Sequence, residues 1–234
     1  MRKFWRSLKK RIFYVLNPST IRINGIRLAV RKGDIPAGVR EALFKDRYED
    51  AERNLLLQVL KPGMKTLEIG TGVGFISLLA TRICGEGNVL SYEANGTLEK
   101  IIRRNYELNG LRPNLRMRAV TPDGQPVTFF RNENIISSSV YDRKTEAEKV
   151  TVQSDAFAAI ISEFDPVVLI MDVEGAEIEL FQISDFRNLR HMIVELHPHI
   201  VGQDKITALV ERLDKAGFAM RAKDRKTVYF QRSV

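Results

Sequence analysis

The feature that most constrains this chain is a rhythm of short apolar runs alternating with helical patterns, beginning at Lys65. Strand-like runs occur at Lys65–Ile69, Val89–Glu93, Asn114–Val120, Val167–Met171 and His191–Leu196. Helical patterns occupy Phe75–Ile83, Gly96–Leu108, Ser154–Phe164, a stretch near Ala176–Phe181, and Gln203–Ala216. Strands joined by helices form βαβ units, which require a mostly parallel sheet, right-handed crossovers and helices on both faces. Two last strands, Phe218–Arg221 and Thr227–Gln231, flank only the short turn Ala222–Lys226. No helix fits between them, so this pair is antiparallel. The expected fold is therefore α/β, a seven-stranded, mostly parallel sheet with an antiparallel final strand. The reversed strand separates it from all-parallel dinucleotide-binding sheets.

Upstream, residues 20–31 alternate apolar and polar around Asn24-Gly25, a hairpin signal. Arg40–Leu60 reads as mostly helical and is stopped by Lys61-Pro62-Gly63. Residues 121–153 break the rhythm: VTFFR and EKVTV suit an extra strand pair around the polar loop Asn132–Ser139. Such an insertion either caps a substrate pocket or decorates the sheet, and both readings stay open. At 234 residues the chain divides into a basic amphipathic helix, 1–19, and one large domain, 20–234. Its single cysteine, Cys84, excludes an internal disulfide framework and a cysteine-clustered zinc site.

The net charge is +8, and six cations (Arg2, Lys3, Arg6, Lys9, Lys10 and Arg11) fall in the first eleven residues without an acid. The body is nearly neutral, which argues against nucleic acid as a partner. In the same segment Phe4, Trp5, Leu8, Ile12, Val15 and Leu16 follow helical spacing between the cations. Residues 1–17 fit peripheral contact with anionic lipid. They equally fit a helix docking on the core or on a second subunit of a homodimer. The apolar run Ile12–Leu16 is too short for the ~7–15 residues of a secretory signal. No run approaches the ~18 of a membrane span, so a cytoplasmic location, with peripheral membrane contact through the tail, is expected.

The strongest motif is TLEIGTGVGFISLLA, residues 66–80, where an apolar strand enters Gly70-Thr71-Gly72-Val73-Gly74 and then a helix. Glycines there allow a tight turn and let backbone amides approach a ligand. Phe75 breaks the Gly-x-Gly-x-x-Gly spacing of pyrophosphate binders. Glu68 precedes the loop, and Glu93 ends the second strand 23 residues after Gly70, where a carboxylate can accept both ribose hydroxyls. Two acids and no phosphate fingerprint favour a cationic nucleoside. S-adenosylmethionine fits, with its sulfonium and ammonium; NAD is the disfavoured competitor.

With these residues in view, the sequence resembles the FkbM family of S-adenosylmethionine-dependent methyltransferases. The resemblance rests on LEIGTGVGFIS, SYEAN, LIMDVEGAE and VELHP, and on KDRYEDAE at residues 45–52. It covers roughly Asn24 to His197, and DVEGAE is its most specific segment. It implies a class I, Rossmann-like methyltransferase domain, with cofactor contacts at Glu68, Gly70, Gly72, Glu93 and Ala94 and with Tyr48 and Glu49 near the methionine end. Gly74, Phe75, Asn95, Val120 and Asp172 are assigned to the same cofactor surface. Glu68 departs from the family's more usual aspartate but keeps the charge. The family pattern does not explain the basic extension.

Asp172 follows the apolar run Val167–Met171 and so stands at a strand's C-terminal end, where open α/β sheets bind ligands. Methyl transfer to an alcohol needs an in-line nucleophile and a group to take its proton. Asp172 is the first candidate base and His197 the second; Asp172 also suits the N-cap of the Ala176 helix. Asp172, Glu174, Glu195 and His197 have the chemistry of a Mg²⁺ site, yet Pro198 separates His197 from His199 and no metal is expected. His191 reads as structural, and Ser137, Ser138 and Ser139 as a polar loop. The expected function is O-methylation of a hydroxyl on a sugar, glycan or secondary metabolite. The alternatives are a protein or RNA methyltransferase and a non-catalytic cofactor-binding or membrane-docked module.

Overall fold

The computed structural model describes residues 2–131 and 148–232. Helix α1 (Arg2–Leu16) leads into a hairpin of β1 (Thr20–Ile23) and β2 (Ile26–Ala29), then α2 (Ala37–Phe44) and α3 (Asp50–Val59). The alternating region follows: β3 (Thr66–Ile69), α4 (Phe75–Cys84), β4 (Val89–Tyr92), α5 (Glu99–Glu107) and β5 (Leu115–Arg116). Then come β6 (Ala119–Thr121), β7 (Val127–Arg131), β8 (Glu148–Val152), β9 (Ser154–Ala156), α6 (Phe157–Phe164), β10 (Val168–Met171) and α7 (Glu177–Leu180). The chain closes with β11 (His191–Glu195), α8 (Pro198–Val201), α9 (Gln203–Lys215), β12 (Phe218–Asp224) and β13 (Thr227–Arg232).

Seven strands form one sheet in the order β12-β13-β11-β10-β3-β4-β5. β10 lies parallel to both β3 and β11, and β3 parallel to β4. β13 is antiparallel to β11 and β12, so six strands point one way and β13 alone points back. Every residue of β3, β4 and β10 is buried, as expected where both faces of a sheet are covered. The two-residue period sorts them: Val168, Ile170 and Ile193 face a core shared with α2 to α5, whereas Leu67, Leu169, Met171 and Val194 face one shared with α6 and α9. Each such side chain contributes roughly 1.5–3 kcal/mol by leaving water. The β1–β2 hairpin turns at Asn24-Gly25, as its sequence anticipates, and is pinned to α5 by Asn105 Oδ1, which accepts from the Ala29 N–H at 2.8 Å.

Three expectations change. Arg40–Leu60 is not one helix: α2 and α3 are separate, and Asp46 and Glu49 in the intervening turn have φ of 54° and 47°. Asn114–Val120 is not one strand: β5 pairs with β4, and β6 leaves the sheet to pair in parallel with β9. Ser154–Ala156 is that partner strand, so the helix expected from Ser154 begins at Phe157. VTFFR and EKVTV do pair, as antiparallel β7 and β8. The loop holding Ser137, Ser138 and Ser139 lies outside the described residues, as do the side chains of Phe4, Trp5 and Leu8.

Candidate active site

A cavity of about 520 Å³ opens at the C-terminal edge of β3, β4, β10 and β11, within the ~300–1,000 Å³ typical of small-molecule sites. Its walls come from the α2–α3 turn, the Gly70–Val73 loop, residues 93–95, residues 118–122 with Val127, the segment after β10, and the β12–β13 turn. Thr121, Pro122 and Val127 bring the start of the insertion to the cavity wall. Acidic side chains outnumber basic ones two to one in this lining. That balance suits a cationic ligand and disfavours one carrying phosphates.

The glycine loop is compressed from two sides. Gly70 has φ +91°, and a Cβ there would overlap the carbonyl oxygen of Asp172. Gly72 has φ +58°, and its Cβ would stand 2.7 Å from Tyr48 Oη and 3.3 Å from Glu49 Oε1. Tyr48 and Glu49 thus fold over the loop from the α2–α3 turn. Glu49 Oε2 is buried without a hydrogen-bond partner. An orphaned carboxylate oxygen is costly unless a ligand supplies a donor. Burial, with Glu52 adding repulsion, raises the pKa of Glu49 well above the usual carboxylate range, and a ligand ammonium would reverse that penalty.

Glu93 is held by the backbone, accepting from the Gly72 N–H at 2.8 Å and the Asn95 N–H at 2.7 Å. Burial raises its pKa against these amides. The carboxylate is therefore already aimed, and its remaining lone pairs are the acceptors a ribose diol requires. Ala94, Asn95 and Val120 line the cavity beside it.

Glu68, Gly74 and Phe75 do not line the cavity. Glu68 shares its register, and hence its sheet face, with Ile170 and Ser91, which points it beneath α4. There Glu68 Oε2 accepts from Thr71 Oγ1 at 2.8 Å while Oε1 is buried without a hydrogen bond, and burial pushes its pKa up to about 7. It braces the loop from below. A Cβ on Gly74 would press against Ile102, and Phe75 is fully buried in the core.

Asp172 lines the cavity, and the 44% of its side chain that is accessible faces that recess. Its depth, reinforced by Glu195, pushes its pKa up to about 8. His197 lies behind it, 1% exposed and outside the cavity lining. Its Nε2 is 3.5 Å from Asp172 Oδ1 and 3.6 Å from Glu195 Oε1. Its Nδ1 is 3.4 Å from Glu177 Oε1, an ion-pair distance without a formed hydrogen bond. Burial alone would lower the imidazole pKa; Glu177, Glu195 and Asp172 override it and raise it to about 10. His197 is thus a cation that acts on the cavity only through its carboxylate neighbours. Asp172, Glu195 and His197 each bring one ligand atom within 4.8 Å of the others, a spacing that could hold a divalent ion.

Sequence reasoning missed the far wall. Glu52 lines the cavity and accepts from Thr227 Oγ1, and burial raises its pKa to about 7. Asp50 is gripped on both oxygens, by Arg6 of α1 and by Arg225 of the last hairpin. Lys226 Nζ stands 3.7 Å from Glu195 Oε1. The available signal was topological: β12 runs parallel to β11, so the β12–β13 turn must emerge at the ligand-binding edge.

A parallel sheet with one reversed strand near its edge, an acid-rich cavity over a compressed glycine loop, and a carboxylate poised for a ribose together define a class I methyltransferase. The family model described as "Methyltransferase FkbM domain" matches residues 68–220. The chain belongs to the FkbM family of S-adenosylmethionine-dependent methyltransferases. No curated protein sequence matches it. Among solved structures it is similar to a methyltransferase from Pyrococcus furiosus, at 16% identity and TM-score 0.48, covering 99% of this chain and 98% of that one. It is also similar to precorrin-6y C5,15-methyltransferase from Geobacter metallireducens GS-15, at 16% identity and TM-score 0.48, covering 88% of this chain and 94% of that one. A third is the tRNA (uracil-54, C5)-methyltransferase from Pyrococcus abyssi in complex with S-adenosyl-L-homocysteine, at 13% identity and TM-score 0.49, covering 92% of this chain and 44% of that one.

Proposed function

We propose that this chain methylates a hydroxyl oxygen on a sugar, glycan or secondary metabolite, with Asp172 as the general base. S-adenosylmethionine supplies, when bound, a methyl group made electrophilic by its sulfonium. Glu93 would hold the ribose, and Gly70 and Gly72 keep the loop close enough to follow the ligand's contour. Tyr48 and the unsatisfied Glu49 oxygen close over the opposite end, where an ammonium would restore the missing hydrogen bond. The surrounding carboxylates favour a cation in the cavity.

The reading is carried by the position of Asp172, inside the cavity and against the carbonyl-to-glycine contact at Gly70. An alcohol is a weak nucleophile until its proton leaves, and a base with a pKa near the working pH is the efficient acceptor. A value of about 8 meets that requirement. The buried His197 cation, 3.5 Å behind, would orient the carboxylate and stabilise its ionised form. The residues at the insertion's start, Thr121, Pro122 and Val127, would contact the acceptor.

The test is cofactor-dependent methyl transfer to a panel of hydroxylated glycans and metabolites, with protein and RNA acceptors alongside, read by mass. A product methylated on carbon or nitrogen, or no product beside clear cofactor binding, would contradict the proposal.

A further inference from the structure

Helix α1 is amphipathic in sequence, and such helices ordinarily turn the apolar stripe inward. In this helix Phe13 packs inward, while Ile12, Val15 and Leu16 stay exposed. Its attachment is largely ionic: Arg6 pairs with Asp50 at 3.2 Å, Lys10 with Glu41 at 2.7 Å and Lys9 with Asp46 at 3.8 Å. Phe13 and Tyr14 add ring contacts to Phe44, with centroids at 5.1 and 5.4 Å. At 3.6 residues per turn, positions 6, 10, 13 and 14 share the docked side, which carries 12 and 15 to the opposite side and 16 to the flank beside Lys9. The exposures agree: Val15 is 85% exposed, Leu16 67% and Ile12 48%. Among the described residues, three of the six exposed large apolar side chains, Ile12, Val15 and Leu16, lie in this last stretch of α1 away from the docked Tyr14. Single exposed apolar residues need no explanation, but a contiguous set on one helix face marks a contact surface.

We propose that this outward face docks on an anionic lipid surface. Charge selects the occupant. Exposed Arg11 flanks the apolar set, and Lys9 retains 42% of its side-chain exposure despite its distant acid. The first acidic residue in the chain is Asp34, and the acids that pair with Arg6, Lys9 and Lys10 lie on the docked side, so the segment itself brings no negative charge to the outward face. A second copy meeting the same face would oppose like charges across a two-fold axis. An anionic lipid surface offers both what the face lacks, an apolar layer for Ile12, Val15 and Leu16 and negative headgroups for the flanking cations. Contact would be peripheral: no helix among the described residues is long and apolar enough to cross a membrane. The inference rests on α1 alone and stands apart from the hydroxyl-methylation proposal.

The experiment is co-sedimentation of the full chain with phosphatidylcholine vesicles, with and without phosphatidylglycerol, at low and high salt. The chain should pellet with phosphatidylglycerol vesicles and be released by salt. Combined Ile12→Gln, Val15→Gln and Leu16→Gln should weaken binding by about tenfold or more, and Arg11→Gln alone by about fivefold at low salt. Both variants should keep the thermal shift induced by S-adenosylmethionine, which shows that the domain is intact and separates this test from the fate of the active-site reading. Absence of binding to phosphatidylglycerol vesicles, binding that the triple variant leaves unchanged, or a vesicle-independent dimer that the triple variant dissolves would each overturn the proposal.

Discussion

Glu177 and His197 are joined across two loops: Glu177 Oε1 accepts the His197 backbone N–H at 2.9 Å, while Oε2 accepts the Gly175 N–H at 2.8 Å. One fully buried carboxylate thereby ties the segment after β10 to the end of β11 and sets Asp172 and Glu195 side by side. Removing it leaves two backbone donors unmet and a buried imidazolium short of a counter-charge. Glu177→Ala should destabilise the fold by about 3–5 kcal/mol, read as a lower urea midpoint. Glu177→Gln, which keeps one acceptor, should cost less.

Asp172→Asn should lower turnover by about 10²- to 10⁴-fold and leave S-adenosylmethionine binding nearly intact. In the unaltered enzyme the base works only when ionised, so the rate should climb as pH rises through about 8. Initial rates against pH check both points, and a flat profile would exclude Asp172 as the base.

Glu93→Ala should weaken S-adenosylmethionine binding by about 10- to 100-fold, the loss of a charge-assisted hydrogen bond worth roughly 1.5–3 kcal/mol. Titration calorimetry with S-adenosylmethionine and with NAD measures it. Unaltered affinity would remove the ribose assignment.

Gly72→Ala should abolish most of the thermal shift given by S-adenosylmethionine. The added methyl would meet Tyr48 Oη at 2.7 Å in a backbone conformation that strains a non-glycine residue, a cost of order 1–3 kcal/mol. Tyr48→Phe in the same chain should recover part of the binding, because it removes the obstructing oxygen.

Glu68 predicts the direction of pH-dependent stability. Its folded pKa is raised from 4.5 to about 7, so the folded chain binds that proton more tightly than the unfolded chain does. The stability this contributes is complete below pH 4.5 and fades as pH climbs to about 7. The span corresponds to about 3 kcal/mol at most. Glu52 and Asp172, raised likewise, act in the same direction. The melting temperature of the ligand-free chain should fall between pH 5 and 8, and Glu68→Gln should flatten the slope.

The sheet was legible because its signal is redundant: apolar runs, helical periods and loop lengths all point to one topology. The failures were local. The α2–α3 break carries no glycine or proline; it depends on Asp46 and Glu49 adopting positive φ, which tertiary contacts impose. Asn114–Ala119 alternates without interruption, and only the partners of β5 and β6 reveal that the expected strand divides. Glu68 was easy to find and hard to place, since a two-residue period reverses facing with each step. Glu52 and Thr227, 175 positions apart, meet only because the last hairpin turns at the binding edge.

At Asp50 opposite ends of the polypeptide meet, Arg6 on one oxygen and Arg225 on the other, beside the cavity. One carboxylate thus fixes the docked position of the first helix and the placement of Arg225 beside the cavity together, so that Asp50→Asn would loosen both.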